Sequence, residues 1–362
     1  MKVALDISPL QSGHKIRGVG FYLLNLKKAL LQYFPEIEYQ FFTQRNALDT
    51  SVDLVHYPYF DPFSLSLPFV KKYATVVTVH DLTPLIFPEH FPSGLKGSLK
   101  WQLQRFNLQK ADGILTDSEA SKRDIERLVG VSNNKISVAY LAAGEEFRVI
   151  KSSSHQAIEQ TREDIQLADL KTRYNLPEEF VLYVGDVTWN KNLPRLLHAV
   201  KEIDVPLVMV GKSLVATDFD KENKWNKDLV EVQKLARHNK NIITLGFLAT
   251  DDLVGLYNLA TVFVFPSIYE GFGLPILEAM QSGCPVIISR EGCMPEVGGE
   301  AAYYFDGYNT DSLAKAIKRI FTSKKLQEEL SKKGLEQAKK FSWKKTAEET
   351  MRVYKKVIGD RL

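Results

Sequence analysis

Short apolar runs alternate with helical patterns twice over, and this alternation constrains the fold more than any other feature of the chain. Lys2–Ile7, Tyr39–Thr43, Asp53–Tyr57, Thr75–His80, Gly113–Asp117 and Ile136–Tyr140 are separated by helical patterns such as Val19–Phe34 and Ser118–Val129. Brief β-branched and aromatic runs read as buried strands, and strands alternating with helices imply parallel βαβ units. A polar stretch from Val149 to Pro177 carries no strand signal and reads as a connection. A second series follows at Phe180–Val184, Leu207–Val210, Ile242–Leu245, Thr261–Phe265, Pro285–Ile288 and Ala301–Phe305. The 362 residues exceed what one core usually organises. The expected fold is therefore α/β, with two Rossmann-like doubly wound domains facing across a cleft. They are placed at residues 1–175 and 176–342.

Composition narrows the function classes. With 44% hydrophobic and 25% charged residues the chain matches ordinary soluble proteins, and a net charge of +3 is too small to argue for nucleic acid. Cys284 and Cys293 are the only cysteines and no apolar run is long enough to cross a bilayer, so a cytoplasmic location is expected. The basic stretch Leu95–Ala111 sets Leu95, Leu99, Leu103 and Phe106 at helical spacing. That stripe is read as core, because amphipathic helices usually pack inward; a peripheral contact with the inner membrane face is the alternative.

The densest chemistry lies in Ser267–Ser289, SIYEGFGLPILEAMQSGCPVIIS, which reads as the loop and short helix after the Thr261–Phe265 strand. Ligands of open α/β sheets gather at the carboxyl ends of strands. Gly271 and Gly273 let a ligand approach the backbone, and the helix start favours an anion such as phosphate. Glu270 and Glu278 would repel that anion and suit hydroxyl protons instead, as on sugars. The plain alternative for Glu278 is an interaction with the helix dipole alone. Lys191, just ahead of a helix, either reaches phosphate oxygens or starts a surface helix. His80, at a strand end beside Asp81, either satisfies a backbone carbonyl or takes part in catalysis. Gly18-Val19-Gly20 opens a helix but fails as a dinucleotide fingerprint, since Leu23 stands where the third glycine belongs. No P-loop, nucleophile elbow or metal-type Cys/His cluster is present.

YVGDVTWNKNLPRLL, FVFPSIYEGFGLPILEAMQSGCPVIIS and MPEVGGEAAYYFD resemble the second domain of the retaining glycosyltransferases of family 4, which have the GT-B fold. GVGFYLLNL, VHDLTPLIFPEHFP and TDSEASKRDI resemble parts of the first domain, and FSWKKTAEETMRVYKKV resembles the terminal helix, here 343–362, that crosses back onto it. The resemblance implies that Glu270 sits by the donor-sugar hydroxyls, with Gly271, Phe272 and Gly273 offering backbone contacts and Leu274 turning its N–H toward the diphosphate. Glu278 would hold the ribose hydroxyls, Lys191 would neutralise the leaving diphosphate, and Gly246 and Phe247 would lie by the nucleobase. His80 would approach the sugar, while Gly18 and Gly20 would line the acceptor or diphosphate side. Many relatives carry an arginine near Lys191, whereas this chain has Asp186 and Asn190; Arg17, Lys212 or Arg290 are the candidates to compensate.

The implied activity is retaining transfer of a hexosyl group from a nucleotide-diphosphate sugar to a hydroxyl of a glycan, lipid-linked or small-molecule acceptor, as in polysaccharide biosynthesis. No cofactor is expected beyond the nucleotide sugar, and no metal. The Asp218-Phe219-Asp220 triplet lies in a polar stretch beyond a strand and reads as a solvated loop. An epimerase or phosphorylase of the same fold, or a catalytically silent sugar-nucleotide-binding subunit, is the alternative.

Overall fold

The computed structural model describes residues 1–13, 18–44, 48–150 and 166–359, and it divides into two compact units. The first comprises Met1–Ala142 and Phe341–Leu362. Its strands are β1 (Lys2–Asp6), β2 (Glu38–Phe42), β3 (Leu54–Tyr57), β4 (Ala74–Thr78), β5 (Gly113–Thr116) and β6 (Ile136–Val138). They form one parallel sheet in the order β2-β1-β3-β4-β5-β6. Every residue of β3, β4 and β5 is buried, as a parallel sheet covered on both faces requires.

The Trp343–Gly359 helix completes this unit. Ala347, Met351 and Tyr354 are buried, and Gly113 of β5 admits the helix closely, since a Cβ there would meet Val353 Cγ1 at 2.8 Å. The helix is also hydrogen-bonded to the sheet. His56 Nδ1 lies 2.7 Å from the Tyr354 hydroxyl and its Nε2 lies 2.8 Å from the Thr78 hydroxyl. Burial pushes the His56 imidazole down to about 3, with the charge of His80 adding to the effect, so the ring stays neutral and shares protons with both hydroxyls.

The second unit, Ala143–Lys340, holds β7 (Val181–Val184), β8 (Leu207–Val210), β9 (Ile242–Leu245), β10 (Val262–Phe265), β11 (Val286–Ser289) and β12 (Tyr303–Phe305). They too form a parallel sheet, ordered β12-β11-β10-β7-β8-β9. Each strand expected from the sequence is present. The strand order reverses between β7 and β10, which is where a doubly wound sheet opens its ligand crevice.

Two expectations are corrected. The unit boundary follows Ala142 rather than residue 175, and described residues from 143–150 and 166–175 are bonded to helices of the second unit. Gln281 Nε2 donates to the carbonyls of Gly144 and Phe147 at 2.8 and 2.7 Å. Asn258 accepts the Ile150 N–H at 2.7 Å, and the Tyr174 hydroxyl donates to Asp252 at 2.6 Å. Leu170 is buried against Gly255, where a Cβ would come within 2.2 Å of it.

The second correction concerns the stripe Leu95, Leu99, Leu103 and Phe106, which is exposed and not core. The Gly94–Gln109 helix turns the opposite face inward, burying Gly97, Gln104 and Leu108. Polar bonds select that face. Gln104 Oε1 accepts the Leu67 N–H at 3.0 Å, and Arg105 and Gln109 both donate to the Val129 carbonyl.

Tyr354→Ala removes a buried ring and a hydrogen-bond partner of His56. A loss of about 3–5 kcal/mol is expected for the unfolding of the first unit in urea; a loss under about 1 kcal/mol would show that the terminal helix is dispensable to the sheet.

Candidate active site

The loops after β7 and β10 flank the reversal of strand order in the second unit. The chain leaves β7 through Gly185, makes a 3₁₀ turn at Trp189–Lys191, and enters the Leu193–Ile203 helix by way of Asn192 in the left-handed region. It leaves β10 through Pro266–Gly273 and enters the Leu274–Gln281 helix. Asparagines join the two loops. Asn190 Nδ2 donates to the Tyr269 carbonyl at 2.8 Å, the Asn190 carbonyl accepts the Ile268 N–H at 2.8 Å, and Asn192 Nδ2 donates to the Pro266 carbonyl at 3.1 Å.

This joint sets the charged pair. Lys191 Nζ lies 2.7 Å from Glu270 Oε1, and Asn190 Nδ2 lies 3.4 Å from the same oxygen. The backbone of the loop is held from below by the buried Cys293, whose thiol reaches the carbonyls of Glu270 and Phe272 at 3.2 and 3.0 Å. Gly273 has φ +104, and a Cβ on it would come within 2.9 Å of Ile276 Cδ1, so glycine is required there. No side chain caps the helix that Gly273 starts; Pro275 has no N–H and the Ile276 N–H is bonded to the Gly273 carbonyl at 3.0 Å, so the N–H at this helix start that a ligand could use is that of Leu274.

Glu278 lies one turn further along that helix and is buried. Tyr257, from the Thr250–Leu259 helix, donates its hydroxyl to Glu278 Oε2 at 2.9 Å. Burial pushes the carboxyl up to about 7; the Tyr257 hydrogen bond acts the other way, and the charge of Glu146 adds to the rise.

At the end of β9, Phe247 is 63% exposed and Gly246 stands beside it. A Cβ on Gly246 would meet Val215, also exposed, at 3.1 Å, so two apolar side chains flank a glycine. Asp186 and Asn190, at positions where the resemblance implies an arginine, have structural tasks. The Ser213 hydroxyl donates to the Asp186 carboxylate and so links the loops after β7 and β8. Lys212 follows β8 and is exposed, whereas the Arg290 guanidinium lies 5.1 Å from the Tyr304 ring after β11; Arg17 lies outside the described residues. Asp218 and Asp220 sit in a surface loop, where Asp220 Oδ1 accepts the Glu222 N–H at 3.0 Å.

In the first unit His80 follows β4, and both of its ring nitrogens are engaged. Nδ1 lies 2.6 Å from Asp117 Oδ2, after β5, and Nε2 lies 3.2 Å from the Pro58 carbonyl, after β3. Burial alone would lower its pKa, but the charge of Asp117 and the hydrogen bond to it prevail and raise it, favouring an imidazolium that donates to both partners. Gly18 and Gly20 lie in the first turn of the Gly18–Tyr33 helix, and a Cβ on Gly18 would meet nothing within 4 Å.

The structure thus brings Lys191, Glu270, Gly271, Phe272, Gly273, Leu274 and Glu278 onto adjoining loops and one helix, with Gly246 and Phe247 two strands away in the same sheet. Sequence reasoning missed the partners: Asn190 as a tether, Tyr257 under Glu278, Cys293 under the glycine loop and Asp117 beside His80. Of these only Asp117 carried a signal, an acidic residue at a strand end directly before the Ser118 helix cap.

Comparison with known proteins gives the class. Residues 9–142 match the model of Glycosyltransferase Family 4, and residues 166–337 match that of Glycosyl transferases group 1. The chain belongs to this glycosyltransferase family and has the GT-B fold. Among its relatives are the O-antigen chain mannosyltransferase B of Escherichia coli, 30% identical over 77% of this chain and 70% of that one, and the serotype-specific mannosyltransferase WbdA of Escherichia coli, 29% identical over 79% of this chain. The match to WbdA spans only 34% of that longer protein. Among solved structures, a sucrose-phosphate synthase from Thermosynechococcus elongatus superposes with a TM-score of 0.75 at 19% identity, covering 99% of this chain and 100% of that one. HepE of Anabaena, in complex with UDP and glucose, superposes with a TM-score of 0.68 at 18% identity over 98% of this chain and 99% of that one.

The Glu278 pKa makes a signed prediction. A carboxyl that ionises near 4.5 when unfolded and near 7 when folded adds stability below about pH 4.5 that is lost as pH rises toward 7. Glu278→Gln keeps an acceptor for Tyr257 and removes this loss, so the variant should gain up to about 3 kcal/mol on the parent between pH 4.5 and 7.5. A constant difference across that range, measured by urea unfolding, would contradict the burial argument.

Proposed function

We propose that this chain transfers a hexosyl group from a nucleotide-diphosphate sugar to an acceptor hydroxyl, with retention at the anomeric carbon and without a divalent metal. The observation that carries the reading is the Lys191–Glu270 pair, 2.7 Å apart beside an uncapped helix start at the β7/β10 reversal. A cation and the N–H of a helix start suit a diphosphate, while the two carboxylates suit hydroxyl protons on either side of it: Glu270 the hexose and Glu278 the ribose. Phe247, with Val215, offers an apolar face for the nucleobase.

In this reading the C1–O bond to the diphosphate breaks while the acceptor oxygen bonds to C1 from the same face, and the acceptor proton passes to the departing phosphate oxygen. Lys191 and the Leu274 N–H stabilise the charge that develops on that oxygen, an electrostatic task that needs no metal. Gly271, Phe272 and Gly273 position the sugar through backbone groups. For the first unit, the proposed roles are His80, an imidazolium held by Asp117, as a donor to a sugar hydroxyl, and the helix start at Gly18 and Gly20 as the acceptor or diphosphate side. The names of the two relatives make a mannosyl nucleotide the first donor to test and a glycan the first acceptor.

Lys191→Ala should lower the transfer rate by about 10²–10³-fold while the fold persists. Lys212→Ala, further along the same strand ends, should cost far less. Near-normal turnover of the Lys191 variant in a donor-depletion assay would assign the leaving charge to another cation. The anomeric configuration of the product, read by NMR, should match that of the donor, and activity should be unchanged in excess chelator and in Asp218→Asn with Asp220→Asn. Inversion, or a loss in chelator restored by magnesium or manganese, would overturn those parts of the reading.

A further inference from the structure

Beyond Glu270 the row of strand ends continues into the loops after β11 and β12, because the sheet runs β12-β11-β10. Gly292, after β11, packs on the loop that carries Glu270: a Cβ on it would meet Tyr269 Cα at 3.6 Å and the Glu270 nitrogen at 3.8 Å. Its neighbour Glu291 is half-buried, and among the described residues its carboxylate makes no hydrogen bond or ion pair. Gly307, after β12, is buried against the stem of Glu291, since a Cβ there would come within 3.0 Å of Glu291 Cγ. Asn192 Nδ2 donates to the Gly307 carbonyl at 2.9 Å as well as to Pro266, so this loop is tied to those after β7 and β10.

Tyr308 follows and is 58% exposed, yet its backbone is fixed. Its N–H donates to Asp306 Oδ1 at 2.9 Å, and the Asn309 N–H donates to the Asp306 carbonyl at 2.9 Å. Partial burial, then the charge of Glu291, raise the Tyr308 hydroxyl above its ordinary value against the pull of Arg195. The hydroxyl therefore stays protonated and can both donate and accept. Arg195 is itself seated by Asn192, whose Oδ1 accepts from its Nε at 3.3 Å.

A firmly seated, exposed tyrosine ring beside an unpaired carboxylate and a guanidinium suits a sugar ring. A pyranose offers a C–H face to an aromatic ring and an edge of hydroxyls, each a donor to a carboxylate and an acceptor from a guanidinium. A phosphate is disfavoured by Glu291 and Asp306, and a simple cation by Arg195. Position decides which sugar is held. Neighbouring strands lie about 4.8 Å apart, so Glu291 stands one strand and Tyr308 two strands beyond Glu270, on the side away from Phe247. In the proposed reading Glu270 already takes the hydroxyls of the transferred hexose, and a ring lying on Tyr308 is a different sugar. Resting on that reading, we propose that Glu291, Tyr308 and Arg195 form a pyranose subsite for the acceptor glycan.

The test begins with binding, which needs no turnover: saturation-transfer NMR of the full chain with α-linked mannobiose, with and without a nucleoside diphosphate. Mannobiose should bind in the presence of the nucleotide. Tyr308→Ala and Glu291→Gln should each weaken it about tenfold, with nucleotide affinity unmoved. In a transfer assay with a mannosyl nucleotide and mannobiose, the same variants should raise the KM for the acceptor about tenfold and leave that for the donor where it was. Circular dichroism should match the parent, because Tyr308 is exposed and glutamine preserves the shape of Glu291. Absence of mannobiose binding, binding equal in parent and variants, displacement of mannobiose by the nucleotide, or a rise in the donor KM in place of the acceptor KM would overturn the proposal. Mannobiose binding that depends on Tyr308 in a chain with no transfer from any nucleotide sugar would support the subsite and count against the transferase reading alone.

Discussion

The side chain of Asn190 is the joint on which the candidate site depends. It is buried, gives its amide to the Tyr269 carbonyl and takes the Ile268 N–H on its own backbone carbonyl, so the loop after β7 and the loop after β10 move as one body. A parallel sheet whose order reverses sends these two loops to opposite faces, and nothing in the sheet itself would keep them in register. With the joint in place, Lys191 and Glu270, the next residue in each loop, are delivered to each other at 2.7 Å. An arginine at position 190 would put a third charge there and dissolve the tether.

In the proposed reading, the ion pair lets an anion site and a hydroxyl site adjoin. At 2.7 Å, Lys191 and Glu270 offset one another's charge. In the same reading the uncapped helix start adds to the attraction, and Gly273 keeps that end open because any larger residue would strain its φ of +104. Glu278 differs: burial rather than pairing with Lys191 holds its charge in check, and pushes the carboxyl up to about 7.

What could be read from the sequence followed what is local. β-branched runs such as Val181–Val184 and Val262–Phe265 declare themselves within a few residues, and the Gly271/Gly273 loop before Pro275 announces a helix start. Pairings at long separation left no local trace. Tyr257 is invisible as the partner of Glu278 until its helix is docked, and Asp117 reaches His80 only because β4 and β5 are neighbours. The Gly94–Gln109 helix misled for a related reason. Hydrophobic spacing shows that a helix has two faces, but Gln104, Arg105 and Gln109 settled which one turned inward by bonding to Leu67 and Val129. The polar stretch Val149–Pro177 reads as a connection by composition, yet at its two ends Asn258 takes the Ile150 N–H and Asp252 takes the Tyr174 hydroxyl, both within the second unit.

Hydrogen–deuterium exchange of the full chain with and without a saturating nucleoside diphosphate tests the central claim most directly, because it reports where the diphosphate lands without requiring turnover. The account predicts added protection at the loop after β7 through Lys191, at the Pro266–Gly273 loop and in the first turn of the Leu274–Gln281 helix, with the same segments unprotected in Lys191→Ala. Tight binding with protection elsewhere, and none at the β7 and β10 loops, would contradict it.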